Sequence, residues 1–191
     1  GLVGSEMCIR DRTNRNNTIQ NTRNILCFTD LGEPKISQLE NPSWISGGYT
    51  VPDNFHNSLY NNINTNSNVR NYVNASNELS GPNYNMEQGI EFEKVENARM
   101  LGQNEFSYNS LLGFISLNQS LNNDQVLGVA YQYTYAGKTY QVGELSTDGV
   151  AGQSALFLKL LKSTVRNPEK KLWDLMMKNV YSIGAYQVDP N

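Results

Sequence analysis

Cysteine, histidine and long apolar runs are all scarce in this chain, and each shortage narrows what it can do. Its 191 residues include two cysteines, Cys8 and Cys27, and a single histidine, His56. Once Cys8 is set aside for the reason given below, Cys27 has no partner for an internal disulfide and cannot build a thiolate metal cluster. No run approaches the roughly eighteen apolar residues of a helical membrane span. That test does not reach a barrel strand, which needs only about ten alternating residues. Charge is sparse as well: 15 Lys and Arg oppose 18 Asp and Glu for a net −3, with no block of either sign. Neither a basic patch for nucleic acid nor an acidic disordered tail can be read from that balance.

The residues that might carry chemistry are isolated from one another. His56 stands in an asparagine-rich stretch and reads as a solvated side chain, since nucleophilic and metal mechanisms need an oriented partner. Cys27 lies in an apolar run and reads as a small hydrophobe. Glu91, Glu93 and Glu96 read as a solvated strand edge rather than an acid/base pair. Asn122 to Asp124 and Asp148-Gly149 offer oxygens, yet neither has a calcium loop's closing bidentate glutamate, and turns explain both. Gly47-Gly48 and Gly143 have no phosphate-loop spacing and read as backbone freedom. The expectation is a non-catalytic chain without metal or cofactor.

The first twelve residues are set apart. Leu2 to Asp11 read LVGSEMCIRD, the translation of a transposase-type sequencing adapter, with Gly1 and Arg12 as junction codons. Residues 1–12 are therefore expected not to be native and are left out of the fold reading. The chain is expected to be a piece of something longer.

What is abundant is asparagine, 27 residues of it, in a chain only 38% hydrophobic. Residues 13–33 hold one short apolar run, Ile25 to Phe28, closed by Asp30 and Gly32, which suits a buried strand followed by a turn. From 34 to 86 prolines and an asparagine tract at 61–77 compete with regular backbone hydrogen bonding, which predicts long loops with short turns of helix. Trp44, Tyr49, Phe55 and Leu59 are expected to pin that region to a surface.

Residues 87–191 read as a β-rich module. Ile90 to Val95 alternates as an edge strand, and Leu111 to Leu117 is a second apolar run. Between Val126 and Tyr135 the residues Leu127, Val129, Tyr131, Tyr133 and Tyr135 share one face. Ala136-Gly137 and the β-prone run Thr139 to Leu145 complete a hairpin, Gly137 supplying a positive φ. Lys138 and Glu144 interrupt the return strand and favour a soluble sheet over a barrel wall. Ala155 to Leu161 is apolar throughout and fits either a buried strand or a helix. Asn167 as cap, Pro168 at the first position and Leu172, Leu175, Met176 at helical spacing predict a short helix over 168–179. Val180 to Val188 resumes β character.

Six ordered strings resemble the SprA family, also called Sov. They are Thr22 to Ile25 with Asp30 to Glu33, Phe92 to Arg99 (FEKVENAR), Leu112 to Gln119 (LGFISLNQ), Val126 to Thr134 (VLGVAYQYT), Tyr140 to Glu144 (YQVGE) and Trp173 to Tyr181 (WDLMMKNVY). Thr13 to Arg15 is similar to the tail of the family's preceding strand, while residues 34–85 fit only loosely. The resemblance implies a giant outer-membrane β-barrel, the translocon of type IX secretion and gliding motility in Bacteroidetes-type bacteria. It further implies a PorV-like shuttle barrel, a periplasmic plug protein and secreted cargo as partners.

The chain is thus expected to be mainly β with minor α: an antiparallel sheet and hairpin module with long Asn-rich loops, a fragment of a much larger outer-membrane β-barrel protein. Tyr131, Tyr133, Tyr135, Trp173, Met176 and Met177 are the candidate partner or cargo contacts, aromatic and thioether groups being suited to adaptable surfaces. The alternative is a free-standing cell-surface β module that binds glycans or protein partners.

Overall fold

A computed structural model describes residues 2–9, 22–45, 47–109 and 111–176 of the chain. Among the described residues the chain is mainly β: eight strands, four short α-helices and two 3-10 turns, with the core strands supplied by the apolar runs. The run Ile25 to Phe28 lies in β2 (Thr22–Phe28), and the ambiguous run after Ala155 is a strand, β8 (Leu156–Lys162). β2 and β8 pair in parallel, Ile25 opposite Leu156 and Phe28 opposite Lys159. Parallel neighbours are usually covered on both faces, which is why these two strands read as continuous apolar stretches rather than alternating ones.

On the far side of β2 runs β3 (Phe92–Met100), antiparallel, with a register shift between Arg23 and Ile25. On the far side of β8 runs β6 (Leu127–Tyr135), which forms the expected hairpin with β7 (Lys138–Val142). Its two-residue turn places both Ala136 (φ 49°) and Gly137 (φ 75°) in the left-handed region, the backbone of a type I′ turn whose twist matches the strands it joins. The return strand stops at Val142, three residues short of expectation, because Gly143 turns away at φ 76°. A Cβ there would lie 3.0 Å from that of Ala130 and 3.2 Å from the Phe157 carbonyl oxygen, so glycine is required twice over.

Leu2–Ile9, which the sequence set apart, forms a strand, β1, antiparallel to β6 from Leu2 opposite Tyr133 to Ile9 opposite Leu127. It also meets β3, Ile9 opposite Arg99. The order β1-β3-β2-β8-β6-β7 therefore closes on itself through the β1–β6 pairing. Main-chain pairing asks little of the side chains, so a segment of any origin that can extend is able to join.

Alternation along the strands sorts the core into two clusters. On one face Ile25, Cys27, Val95, Ala130, Leu158 and Leu160 pack together. Gly128 belongs to this face, where a Cβ would stand 2.6 Å from the Cys27 sulfur. The other face carries Leu26, Phe28, Phe92 and Phe157 and is covered by α1 (Leu59–Asn64), α2 (Ser67–Arg70) and α3 (Ala75–Ser80). None of these helices is long enough to persist alone. They are held by the pairs Leu59/Ile63 and Ala75/Leu79, all fully buried, at one-turn spacing. Each buried leucine, isoleucine or phenylalanine contributes roughly 1.5–3 kcal/mol, which makes packing, not helix propensity, the reason the turns exist.

Several expectations need correction. Trp44 and Leu59 do pin the asparagine-rich region, but Tyr49 and Phe55 are exposed, at 45% and 60%. Glu93 is not on a solvated edge: it is buried, accepting hydrogen bonds from Thr164 N–H (3.0 Å) and Thr164 Oγ (2.7 Å). Leu111 and Leu112 stay outside the strand β5 (Phe114–Leu117), which pairs with β4 (Phe106–Asn109) in a separate hairpin. The C-terminal helix, α4 (Lys171–Asp174), begins three residues later than predicted. Asn167 does accept the Glu169 N–H, but as a turn that precedes the helix. Met177 and Val180 to Val188 lie outside the described residues.

Candidate functional site

The sequence offered two sets of contact residues, and the fold keeps them apart. Tyr131, Tyr133 and Tyr135 occupy the C-terminal half of β6, whereas Leu127 at its start pairs with Lys162 beside α4. Eight strand residues separate Leu127 from Tyr135, roughly 26 Å at the usual rise. Trp173 and Met176 line a shallow cleft with Ile90, Val165 and Arg166. Leu172, next to Trp173, is buried in the core.

The tyrosine end is the more developed of the two. Tyr133 stacks on Tyr140 of β7 (centroids 5.4 Å apart) and lies 5.9 Å from Tyr131. Tyr140 meets the edge of His56 at 5.6 Å, and His56 stacks on Tyr49 at 3.9 Å with the rings 6° from parallel. Five rings thus form a continuous stripe from the sheet onto the loop. His56 and Tyr140 are members that the candidate contacts left out, His56 because it was weighed only as a reagent. Its Nδ1 lies 2.6 Å from the Val51 carbonyl oxygen; since a carbonyl can only accept, that nitrogen carries the proton.

Tyr131 and Tyr133 are less available than their alternation suggested. The Tyr133 hydroxyl donates to the Pro52 carbonyl at 2.5 Å, and burial, with the nearby Asp53 carboxylate and Tyr140, pushes it up to about 12. Tyr131 is raised too, first by burial and then by Glu33. Tyr135, at 58% exposure, is the free face of the hairpin.

Beneath the stripe, polar side chains fasten the asparagine-rich layer to the sheet. Asn54 pairs with the Gly143 backbone in both directions, donating to its carbonyl (3.0 Å) and accepting its N–H (2.8 Å). Asp53 accepts the Gln141 N–H at 3.0 Å, and the Asn54 N–H donates to the Gln141 carbonyl at 2.8 Å, which covers the open edge of β7. Asn57, fully buried, donates to the carbonyls of Asp30 (2.7 Å) and Glu33 (2.9 Å). Asp30 in turn accepts the Glu40 and Asn41 N–H groups at 2.7 and 2.9 Å. Its acid is raised to about 6 by burial, against the pull of those two hydrogen bonds and of Lys159.

A second fastening joins α2 to the loop after β7. Arg70 grips Glu144 with two parallel bonds (2.6 and 2.7 Å) and lies 3.7 Å over the Phe157 ring. Glu144 also accepts the Tyr60 hydroxyl and the Phe157 N–H, each at 2.9 Å. Glu33 and Lys159 form a further buried pair at 2.6 Å. Bidentate, satisfied pairs of this kind fix orientation. These acids sit against cations and main-chain donors of the frame; among the described residues no helix is long and apolar enough to cross a membrane, and no cluster of three potential metal ligands occurs. No family model matches the chain, and a search of curated proteins found no match either.

Proposed function

We propose that this chain is a non-catalytic structural segment of an outer-membrane protein-export translocon of the SprA-like kind, in which it acts as a rigid slab beside the path of cargo. One observation carries the reading. Five of the six strings that resemble the family fall on strands or their ends: β5 in the separate hairpin, and β2 with the Asp30–Glu33 turn after it, β3, β6 and the end of β7 in the frame. The loosely fitting residues 34–85 coincide with the layer laid over it. What the resemblance covers is then mostly framework, and the layer of residues 34–85, fastened to it by Asn54, Asn57 and Arg70, is free to suit a particular cargo or partner with its exposed side chains.

On this reading the parent protein lies in the outer membrane, its partners are the shuttle barrel, the plug protein and secreted cargo, and the surface seen by cargo is the rim of the tyrosine stripe. Exposed phenol rings among amides hydrogen-bond weakly and stay wet, a surface suited to sliding rather than gripping. Replacing Tyr135 and Tyr49 by Leu in the full-length protein leaves the buried fastenings intact and is expected to slow export at unchanged protein level. Normal export would count against the reading. Retention of a glycan by the purified chain, lost in the same double variant, would instead favour the cell-surface module, to which the exposed rings of Tyr49 and Phe55 lend themselves.

A further inference from the structure

The separate hairpin of β4 and β5 presents what the rest of the surface avoids. Leu111 and Leu112 at its tip are 91% and 71% exposed, and among the described residues they are the only large hydrophobics left exposed at consecutive positions. Single apolar side chains scattered over a surface are ordinary, whereas a projecting pair calls for an apolar neighbour. Residues 106–123 contain no Asp, Glu, Lys or Arg, the longest such run in the chain. The tip can therefore enter a medium of low dielectric without stripping water from an ion. Its main-chain donors are satisfied as well. Asn109 Oδ1 accepts the Leu111 N–H (3.1 Å) and the Leu112 N–H (2.9 Å), and the Asn109 carbonyl accepts the Gly113 N–H (2.8 Å). Bare N–H groups would have opposed entry into hydrocarbon.

The hairpin is held from its other end. Arg99 of β3 grips the Glu105 carboxylate with two bonds (2.7 and 2.9 Å), and the Glu105 carbonyl accepts the Asn118 N–H at 2.9 Å. A two-stranded ribbon is marginal alone, so this clamp keeps the tip presented and places the nearest charges at the end away from the leucines. Tyr108, 41% exposed, lies one residue behind the last ladder pair, Asn109 opposite Phe114, about 3.4 Å back along the strand. Once the leucines are submerged, its ring stands at the level where tyrosine is favoured, apolar body inward and hydroxyl in the headgroups. A protein pocket can also take two leucines, but protein interfaces surround such anchors with a hydrogen-bonded polar rim. The segment from Leu111 to Gly113 offers neither a charge nor a free main-chain donor to build one.

We propose that the Leu111-Leu112 tip is a lipid-contact site, which enters the boundary between headgroups and acyl chains of a bilayer with Tyr108 at the headgroup level. Burial of the two leucines supplies the attraction, and with no cation in residues 106–123 the contact favours zwitterionic lipid and is insensitive to salt. It is a peripheral contact made by one hairpin, separate from any barrel wall and from the export function.

Flotation of the whole chain with vesicles of phosphatidylcholine and phosphatidylethanolamine at millimolar lipid tests it. The chain is expected to float with the vesicles at low and high salt alike. Leu111→Ser with Leu112→Ser is expected to weaken partitioning about tenfold or more while the urea midpoint stays where it was, so that lost binding is not lost folding. Leu111→Trp should keep binding and add tryptophan emission that lipids brominated on their acyl chains quench. The proposal is overturned if the starting chain stays in the aqueous fraction, if the double-serine form floats equally well, if high salt releases the chain, or if the added tryptophan is not quenched. A dimer seen by sedimentation in place of flotation, and lost in the double-serine form, would make a second copy the occupant and overturn it too.

Discussion

Two asparagine-rich stretches of this chain, 34–91 and 101–125, are built from similar residues and end up differently. In the first, Asn54 and Asn57 reach main-chain groups at the end of β7 and in the turn after β2, and Leu59, Ile63, Val69, Ala75 and Leu79 are buried. In the second, Asn109 accepts from Leu111 and Leu112, and Asn118 donates to Asn104, all within the same stretch. Leu111 and Leu112 are left 91% and 71% exposed. Asparagine content alone therefore decides nothing. An amide orders a loop when its partner is a distant backbone group, and leaves it projecting when it satisfies only its neighbours.

The largest way to break that contrast is Arg70→Met. It leaves Glu144 buried without its cation and should cost about 3–5 kcal/mol, measured by urea unfolding. Asn57→Ala comes next, at about 2–3 kcal/mol, since the Glu33 carbonyl and the Leu59 N–H lose this partner in a dry site and the Asp30 carbonyl keeps only the Glu33 N–H. Gly128→Ala should cost roughly 1–3 kcal/mol by forcing Cys27 aside, read from the same midpoint.

Asp30 sharpens the comparison through pH. Its folded acid lies at about 6 against an ordinary 3.8, so the folded chain holds this proton more tightly than the unfolded one. The stability linked to it is present below the ordinary value and is lost as pH rises through about 6, on the order of 3 kcal/mol. Asp30→Asn should remove that slope, seen as a flatter pH dependence of the urea midpoint. Smallest of all, Leu111→Ser with Leu112→Ser should move stability by less than about 0.5 kcal/mol.

How legible this was in the sequence depended on whether the signal was local. The β6–β7 hairpin could be read because alternation and a two-residue turn are local facts. The strand at Ile25 to Phe28 was readable as a run but not as a parallel partner of β8, since that pairing joins residues about 130 apart in sequence. Glu93 was misjudged because its donors, Ser163 and Thr164, lie 70 residues away, and alternation cannot see them. The helix after Asn167 was overextended because cap chemistry marked a turn that precedes it. At the candidate surface, Tyr135 is 58% exposed. Tyr131 and Tyr133 were half covered by a loop whose path depended on Asn54 and Asp53, whose fastening role only the fold reveals.

The central claim is that the asparagine-rich layer is a fastened part of the frame while the second stretch projects from it. Brief chymotrypsin digestion of the native chain, with cut sites identified by mass spectrometry, tests this directly, because both stretches offer targets. The account predicts that cleavage between Phe106 and Phe114 precedes cleavage at Trp44, Tyr60 or Tyr84. Early cuts at Trp44, Tyr60 or Tyr84, at rates equal to those at Tyr108 or Leu112, would contradict it.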